Sequence, residues 1–127
     1  MLRIFDALKT RPPAFSPEQA VNLLEENYDI TGALEPLASE RDQNYLVTTN
    51  TGDRFVLKFA SAVEPASVTG FQNLALMHIA GIRADFPVPR VVLARNDSHL
   101  IELSAENGNP HSMRVLTWLE GIPLQHV

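Results

Sequence analysis

The stretch Phe55-Val56-Leu57-Lys58-Phe59 places one lysine inside an otherwise apolar run. Alternation along a β-strand puts Phe55, Leu57 and Phe59 on one face and Val56 and Lys58 on the other. Lysine is costly to bury unpaired, so its side chain either reaches solvent along the apolar surface or meets an anion. A ligand phosphate is one such anion, because an ammonium group neutralises its charge without forming a covalent bond. The strand alone leaves both interpretations open.

Strand-like and helix-like segments surround this run. Residues 30–37 and 45–49 read as strands, and Asn50-Thr51-Gly52-Asp53 predicts a hairpin turn into the lysine strand at 54–59. Upstream, Ser16-Pro17-Glu18-Gln19 is typical of a helix start, with a capping serine, a proline in the first turn and a glutamine that closes a capping box.

The second half of the chain predicts one more helix and further strands. Residues 65–80 have helical periodicity, and Gly81 is expected to end that helix. Its apolar residues lie roughly on one face, which is the face expected to pack: Val68, Phe71, Leu74, Ala75 and Ile79. Three strand-like runs follow, at 90–93, 99–103 and 113–118. We therefore predict an α+β domain with a mainly antiparallel five-stranded sheet, one crossing helix and an extra N-terminal helix.

Composition excludes several classes of protein. The net charge of −5 argues against nucleic acid or an anionic membrane as the main partner. Without cysteine the chain has no disulfide scaffold, which is compatible with a reducing cytoplasm. No apolar run approaches the roughly 20 residues of a membrane span. We expect a cytoplasmic protein in which residues 1–15 are a lead-in and residues 16–127 form the domain.

Several segments together resemble the aminoglycoside phosphotransferase and choline kinase-like superfamily. The lysine strand matches the Val-Ala-Ile-Lys motif of kinases, Pro87-Val88-Pro89-Arg90-Val91 follows the helix, and Gly121-Ile122-Pro123-Leu124 follows the last strand. Segments 39–45 and 71–76 look like hydroxylysine kinase-type members. In bacteria that lobe type also begins fusions to class III aminotransferases, which use pyridoxal phosphate. The resemblance implies a protein-kinase-like N-terminal lobe that binds ATP with magnesium, and pyridoxal phosphate only in a fusion.

The resemblance assigns five residues to the phosphate side of the nucleotide. Lys58 would contact the α and β phosphates. Ser39, Arg41 and Asn44 belong to the segment that would form the loop over the phosphates. Gln72 stands where these kinases usually carry the acidic partner of the lysine. A glutamine can hydrogen-bond an ammonium group but cannot balance its charge.

Another five residues are assigned to the adenine side. Val56 would pack against the adenine ring because it shares a face with Lys58. Leu116 would line the back of the pocket, and Thr117, Trp118 and Leu119 would form a hinge whose backbone groups meet the adenine edge. Packing in the core is an equally good interpretation for Leu116 and Trp118.

The residues that would catalyse phosphoryl transfer are not found in this sequence. In the superfamily the acceptor-orienting and metal-binding residues belong to a larger C-terminal lobe, in a His-Gly-Asp motif and an Ile-Asp-x-x-Asp motif. No histidine here is followed by Gly-Asp; the four are His78, His99, His111 and His126. We expect no catalytic residue and no metal site in this chain, no activity of the chain alone, and its own C-terminal lobe as a partner.

The resemblance implies a parent protein that phosphorylates a hydroxyl of a small, amine-bearing metabolite. Two other functions stay open: a non-catalytic nucleotide-sensing or docking module at the start of a larger multidomain protein, or an unrelated α+β interaction domain with Lys58 merely exposed. A lobe that ends at the hinge should also expose an apolar patch formed by Val56, Leu116 and Leu119. Such a patch would favour self-association.

Overall fold

The computed structural model describes residues 15–38, 42–61, 65–104 and 110–119. In chain order the elements are helix α1 (Pro17–Tyr28), strands β1 (Gly32–Leu37), β2 (Gln43–Thr49) and β3 (Arg54–Phe59), helix α2 (Ala66–Ile82), and strands β4 (Val91–Val92), β5 (Ile101–Ser104) and β6 (Pro110–Thr117). This order confirms the predicted one. Neither helix in these ranges is long and apolar enough to cross a membrane.

Helix α1 begins with the predicted capping box. The Ser16 hydroxyl accepts a hydrogen bond from the backbone N–H of Gln19, and the Gln19 side chain accepts one from the N–H of Ser16. Pro17 occupies the first helical position, where its missing N–H costs nothing. The helix ends at Tyr28 and is followed by the C-cap Asp29, whose φ of 55° is left-handed and whose N–H donates to the carbonyl of Glu25.

The strands form one antiparallel sheet. Strands β1, β2 and β3 are consecutive neighbours, and β6 pairs with the other side of β3. The turn between β2 and β3 places Gly52 at a φ of 88°, which favours glycine. Strands β4 and β5 share the far edge of β6, where they pair with residues 115–116 and 110–113 respectively. The six described strands therefore make a sheet five strands wide.

The hydrophobic core lies between α1 and one face of this sheet. Helix α1 contributes Ala20, Leu24 and Tyr28 to it. The sheet contributes alternate residues of its three central strands: Tyr45, Val47, Leu57, Phe59, Met113 and Val115. Because side chains alternate along a strand, the residues between them, including Lys58, belong to the opposite face.

Helix α2 departs from the sequence-based prediction in two ways. It continues through Gly81 to Ile82, so the predicted stop at Gly81 is wrong. The predicted packing face is also wrong, because the buried residues of α2 are Thr69 and Asn73. Asn73 accepts a hydrogen bond from Arg114 of β6 and donates one to the carbonyl of His99, and these bonds turn that polar side inward. Four of the five predicted packing residues, including Phe71, are consequently exposed, and the fifth, Ile79, is half-buried.

Candidate functional site

A row of three polar residues crosses the sheet face opposite α1. Asn44 of β2 is paired with Lys58 of β3, and Lys58 is paired in turn with Arg114 of β6. Residues directly opposite each other in an antiparallel sheet share a face and have Cβ atoms about 5 Å apart. The row, which we call the polar row, therefore brings two cationic side chains and one amide together at the centre of the sheet.

Lys58 lies at the middle of the polar row and is half-buried. The strand fixes its backbone, because Leu57 and Phe59 on either side of it are fully buried in the core on the opposite face. The sequence did not decide whether this lysine faces solvent or a ligand. The structure places it on a central strand, between Asn44 and Arg114, and not at a sheet edge.

Arg114 connects the polar row to helix α2. Its Nη1 donates to the Asn73 side-chain oxygen at 2.7 Å, and its Nη2 donates to the Gln72 side-chain oxygen at 3.1 Å. Asn73 is fully buried, and its Nδ2 also donates to the carbonyl of His99 at 2.8 Å. The Nδ1 atom of His99 lies 3.2 Å from the same amide nitrogen. This network fixes how α2 sits on the sheet.

Sequence reasoning missed Arg114 as a site residue and assigned Gln72 to Lys58. The structure gives Gln72 a hydrogen bond with Arg114, one strand away from the lysine. A signal was present, because Arg114 is the one charged residue in the run 113–119, as Lys58 is in its own run. The pairing of the two strands, which spacing along the chain does not give, was needed to bring them together.

Asn44 belongs to strand β2 and not to the predicted loop. Its side chain is buried, and the atom placed as Oδ1 has no hydrogen-bond partner. A buried polar atom without a partner costs about 1–3 kcal/mol. The other two residues predicted for that loop, Ser39 and Arg41, lie outside the described residues.

A second row, which is apolar, runs beside the polar row. Leu46, Val56 and Leu116 are paired across the same three strands. Each lies two residues along its strand from a member of the polar row, which is roughly 6.6 Å. The apolar row is the nearer of the two to residues 117–119, the predicted hinge.

Val56 and Leu116 are both buried, with 2% of their surface exposed. The prediction that they form an exposed patch with Leu119 is therefore wrong. Both lie on central strands, and each has a paired residue on either side. Leu119 is half-buried.

The predicted hinge is tied to the rest of the sheet by its own backbone. The N–H of Thr117 donates to the carbonyl of Arg90, and the N–H of Trp118 donates to the carbonyl of Arg54. The Thr117 hydroxyl also accepts from the N–H of Arg90 at 2.9 Å. These two N–H groups are thus occupied within the domain. The indole N–H of Trp118 is buried without a partner.

Of the three histidines in the described ranges, two contact other residues of the domain and one is exposed. His111 is buried and its Nδ1 lies 3.0 Å from the carbonyl of Ala60, so this nitrogen donates. His99 contacts Asn73, and His78 is exposed on α2. His126 lies outside the described residues. Within the part of the chain that the structure describes, no three His, Asp or Glu side chains are grouped to hold a metal ion.

A cleft of about 520 Å³ lies elsewhere, between α1 and β1. Its lining includes Pro17, Glu18 and Leu34. Helix α1 covers the core face of the sheet, so this cleft is separated from Lys58 by the sheet itself. It has no cationic lining residue, which makes it a poor place for phosphate groups.

Comparison with known protein families gives one match to most of the chain. The sequence profile of APH, described as "Phosphotransferase enzyme family", matches residues 33–126. The matched segment contains the polar row, the apolar row and the hinge. A search of curated protein sequences finds no match.

Solved structures with the same fold include two small-molecule kinases. One is an amicoumacin kinase in complex with AMP-PNP, Ca²⁺ and Ami, with a TM-score of 0.68, 15% identity and 84% of this chain covered. The other is a microcompartment-associated aminopropanol kinase, with a TM-score of 0.63, 18% identity and 81% of this chain covered. The matched part is 32% of each of those chains. At this identity the likeness establishes the fold alone.

Proposed function

The chain belongs to the phosphotransferase enzyme family, and from this premise we propose that it is the nucleotide-covering lobe of an ATP-dependent kinase. The proposal rests on the two neighbouring rows, the polar row and the apolar row, on the sheet face opposite the core. ATP has the matching division, with an apolar ring at one end and a charged phosphate chain at the other.

The polar row is assigned to the phosphates. Lys58 would contact the α and β phosphates, and Arg114 would add a second positive charge beside it. Two like charges directly opposite each other destabilise a sheet, so an anion that lies against both relieves their repulsion. Asn44 has a buried amide atom that a ligand could satisfy. Ser39 and Arg41 stay proposed phosphate contacts without structural support.

The apolar row is assigned to the adenine ring. Val56 and Leu116, which are both buried, would line the pocket. Thr117, Trp118 and Leu119 would meet the adenine edge. Because the N–H groups of Thr117 and Trp118 are already occupied, we assign that contact to the other backbone groups of the hinge.

Magnesium does not fit the residues described here. Its preferred ligands are carboxylates, water and substrate phosphates, and the described ranges hold no suitable cluster of acids. The part played by this lobe is therefore to bind and orient the nucleotide and to exclude water from it. We assign the acceptor-orienting and metal-binding residues to a C-terminal lobe, and residues 16–127 to this one.

The acceptor we propose is a hydroxyl of a small, amine-bearing metabolite. One of the two structural neighbours is named an aminopropanol kinase, and aminopropanol carries both an amine and a hydroxyl. That parallel supports the class of acceptor and no individual compound. The finer likeness to hydroxylysine kinase-type members and to aminotransferase fusions stays a prediction from the sequence.

The decisive experiment replaces Lys58 in the complete kinase. Lys58→Met keeps the apolar stem and removes the charge, so folding should be retained while kcat/KM for ATP falls. By analogy with loss of one transition-state donor, the loss is about 2.7–4 kcal/mol, or roughly 100- to 1000-fold. Arg95→Met is the matched control, because Arg95 is exposed and its N–H donates to the carbonyl of Asn27 in α1, which lies on the opposite face of the sheet.

Steady-state kinetics with ATP varied and a thermal melt of each variant give the outcome. If kcat/KM for ATP is unchanged in a folded Lys58→Met protein, the polar row does not bind phosphates. If Lys58→Met and Arg95→Met lower kcat/KM for ATP by the same factor, the loss comes from the change in net charge and not from a phosphate contact of Lys58.

One observation favours a second function, a non-catalytic nucleotide-sensing or docking module. The position that usually carries the acidic partner of the lysine holds Gln72, and Gln72 is bonded to Arg114. A sensor would bind ATP, measured by calorimetry with Lys58→Met as the negative control, yet transfer no phosphoryl group to any amino alcohol tested. A kinase would do both.

A further inference from the structure

The side of helix α2 that points away from the sheet is apolar and exposed. Residues at alternating spacings of three and four form a stripe along it, which we call the outer stripe: Val68, Phe71, Ala75, His78 and Ile82. All five are exposed, and Phe71 retains 73% of its surface. An alternation of three and four is the spacing by which one helix packs against another at a small crossing angle.

The outer stripe is also uncharged. Helix α2 contains no Asp, Glu, Lys or Arg over its 17 residues, although the whole chain carries a net charge of −5. A solvent-facing helix normally carries charged residues on its outer face, and a helix apolar on that side is normally buried. An uncharged stripe can lie against an identical stripe without repulsion between like charges.

The order of side chains within the stripe is nearly symmetric about Ala75. Val68 and Ile82 lie seven residues to either side of it, and Phe71 and His78 lie four and three residues away. In an antiparallel pair centred on Ala75, Val68 of one copy therefore meets Ile82 of the other, and Phe71 meets His78. The small alanine at the centre lets the two helices approach closely.

The exposed area is suitable for such a pair. With the flanking Leu74, the stripe offers on the order of 400–600 Å² of apolar surface. A stable interface takes about 800 Å² from each partner, so the stripe supplies more than half of one side. We propose that α2 pairs with α2 of a second copy of this chain, in an antiparallel dimer with its two-fold axis at Ala75.

The first test is the state of association with charges placed in the stripe. Sedimentation equilibrium should show a wild-type dimer. Phe71→Lys and His78→Glu should each raise the dimer Kd at least about tenfold. The double variant should lower the Kd again by at least about tenfold, because the introduced lysine of one copy then meets the introduced glutamate of the other. Ala33→Glu, on the exposed edge strand β1, should leave the Kd unchanged.

The second test uses the absence of cysteine from the chain. Ala75→Cys introduces one thiol at the proposed axis, where the two Cα atoms come within the roughly 7 Å that a disulfide requires. Mild oxidation should give a covalent dimer. Ala33→Cys, which is equally exposed but lies on β1, should stay monomeric under the same treatment.

Several results would overturn the proposal. A wild-type chain that is monomeric at about 1 mM does so directly. If Phe71→Lys also lowers the stability of that monomer, the chain's own remaining segments cover the stripe; if its stability is unchanged, the stripe serves a different protein. If the double variant does not restore dimer affinity, the two copies pair in another arrangement. The same conclusion follows if Ala75→Cys gives no covalent dimer. Thermal melts establish that each variant is folded.

Discussion

Helices α1 and α2 lie on opposite faces of one sheet and are held there by different forces. Helix α1 buries the apolar residues Ala20, Leu24 and Tyr28, and its first turn is capped by a side chain. Helix α2 buries Thr69 and Asn73 and has no side-chain cap. Apolar burial stabilises in proportion to area and has no direction, whereas hydrogen bonds require one orientation.

The two helices therefore contribute differently to the domain. Helix α1 closes the core and supplies stability to the whole sheet. Helix α2 gains little from apolar burial, but its network sets the position of Arg114, next to Lys58. We infer that α2 is aligned for the nucleotide site on one side and for a partner on the other. Substitutions that affect one helix and not the other test this difference.

The largest expected effect comes from a matched pair of leucines, one on each helix. Leu24 of α1 is 1% exposed and Leu74 of α2 is 54% exposed. Leu24→Ala should lower the free energy of unfolding by about 2–5 kcal/mol, because it leaves a cavity in the core. Leu74→Ala should change it by no more than about 0.5 kcal/mol. Urea unfolding measures both.

Protein concentration must be kept low in this comparison, because association stabilises the folded state. Repeating the Leu74→Ala measurement at high concentration separates the two effects. Equal losses from the two variants at low concentration would mean that the outer side of α2 is covered within one chain.

The next effect concerns neighbouring amides on α2. Asn73 is fully buried and hydrogen-bonded to both Arg114 and His99, whereas Gln72 is exposed. Asn73→Ala should cost about 2–3 kcal/mol, because the guanidinium of Arg114 and the carbonyl of His99 each lose a partner. Gln72→Ala should cost about 0.5 kcal/mol or less. Both are measured by chemical unfolding.

Asn73→Asp divides the network further. A carboxylate can still accept from Arg114 but cannot donate to the carbonyl of His99. Its stability should therefore lie between those of Asn73→Ala and the natural protein. If Asn73→Ala is as stable as the natural protein, polar contacts do not hold α2 on the sheet.

Much of this architecture could be predicted from the sequence because the signals are local. The capping box at Ser16, the turn at Gly52 and the alternation around Lys58 each depend on residues a few positions apart, and the structure confirms all three. The family match and the shared fold confirm the kinase-like lobe.

The orientation of α2 could not be predicted in this way. Its apolar periodicity indicated a packing face, but the partners of Asn73 lie 26 and 41 residues away at His99 and Arg114. A hydrogen bond between such distant positions leaves no trace in helical spacing. Alternation likewise gave the face on which Val56 and Leu116 lie, but not that both are buried there. The roles of the site residues stay predictions.

A smaller effect is expected at the start of α1. Ser16→Ala removes the acceptor for the N–H of Gln19 and opens the capping box. The loss should be about 1 kcal/mol, seen in thermal or urea unfolding. Ser16→Asp is the control that keeps an acceptor and should retain most of the stability. Equal losses from both variants would mean that the cap contributes nothing here.

The smallest effect at neutral pH is expected at Tyr28, which ends α1. Its hydroxyl is buried without a hydrogen-bond partner, so Tyr28→Phe removes an unsatisfied polar group. The variant should be as stable as the natural protein or more stable, by up to about 1 kcal/mol. A variant clearly less stable at neutral pH would show that the hydroxyl has a partner.

Alkaline pH should enlarge this small difference. Burial raises the pKa of Tyr28 to about 12, from an ordinary value near 10. The unfolded chain therefore releases this proton first, and the stability that the neutral phenol contributes is present below pH 10 and lost as pH rises towards 12. Tyr28→Phe has no phenolic proton to release and therefore does not lose this stability. The difference in free energy of unfolding between the variant and the natural protein should grow across that window by at most about 2.7 kcal/mol. Urea unfolding of both proteins at pH 8, 10 and 11 measures the growth, and a constant difference would mean that the phenol is open to solvent.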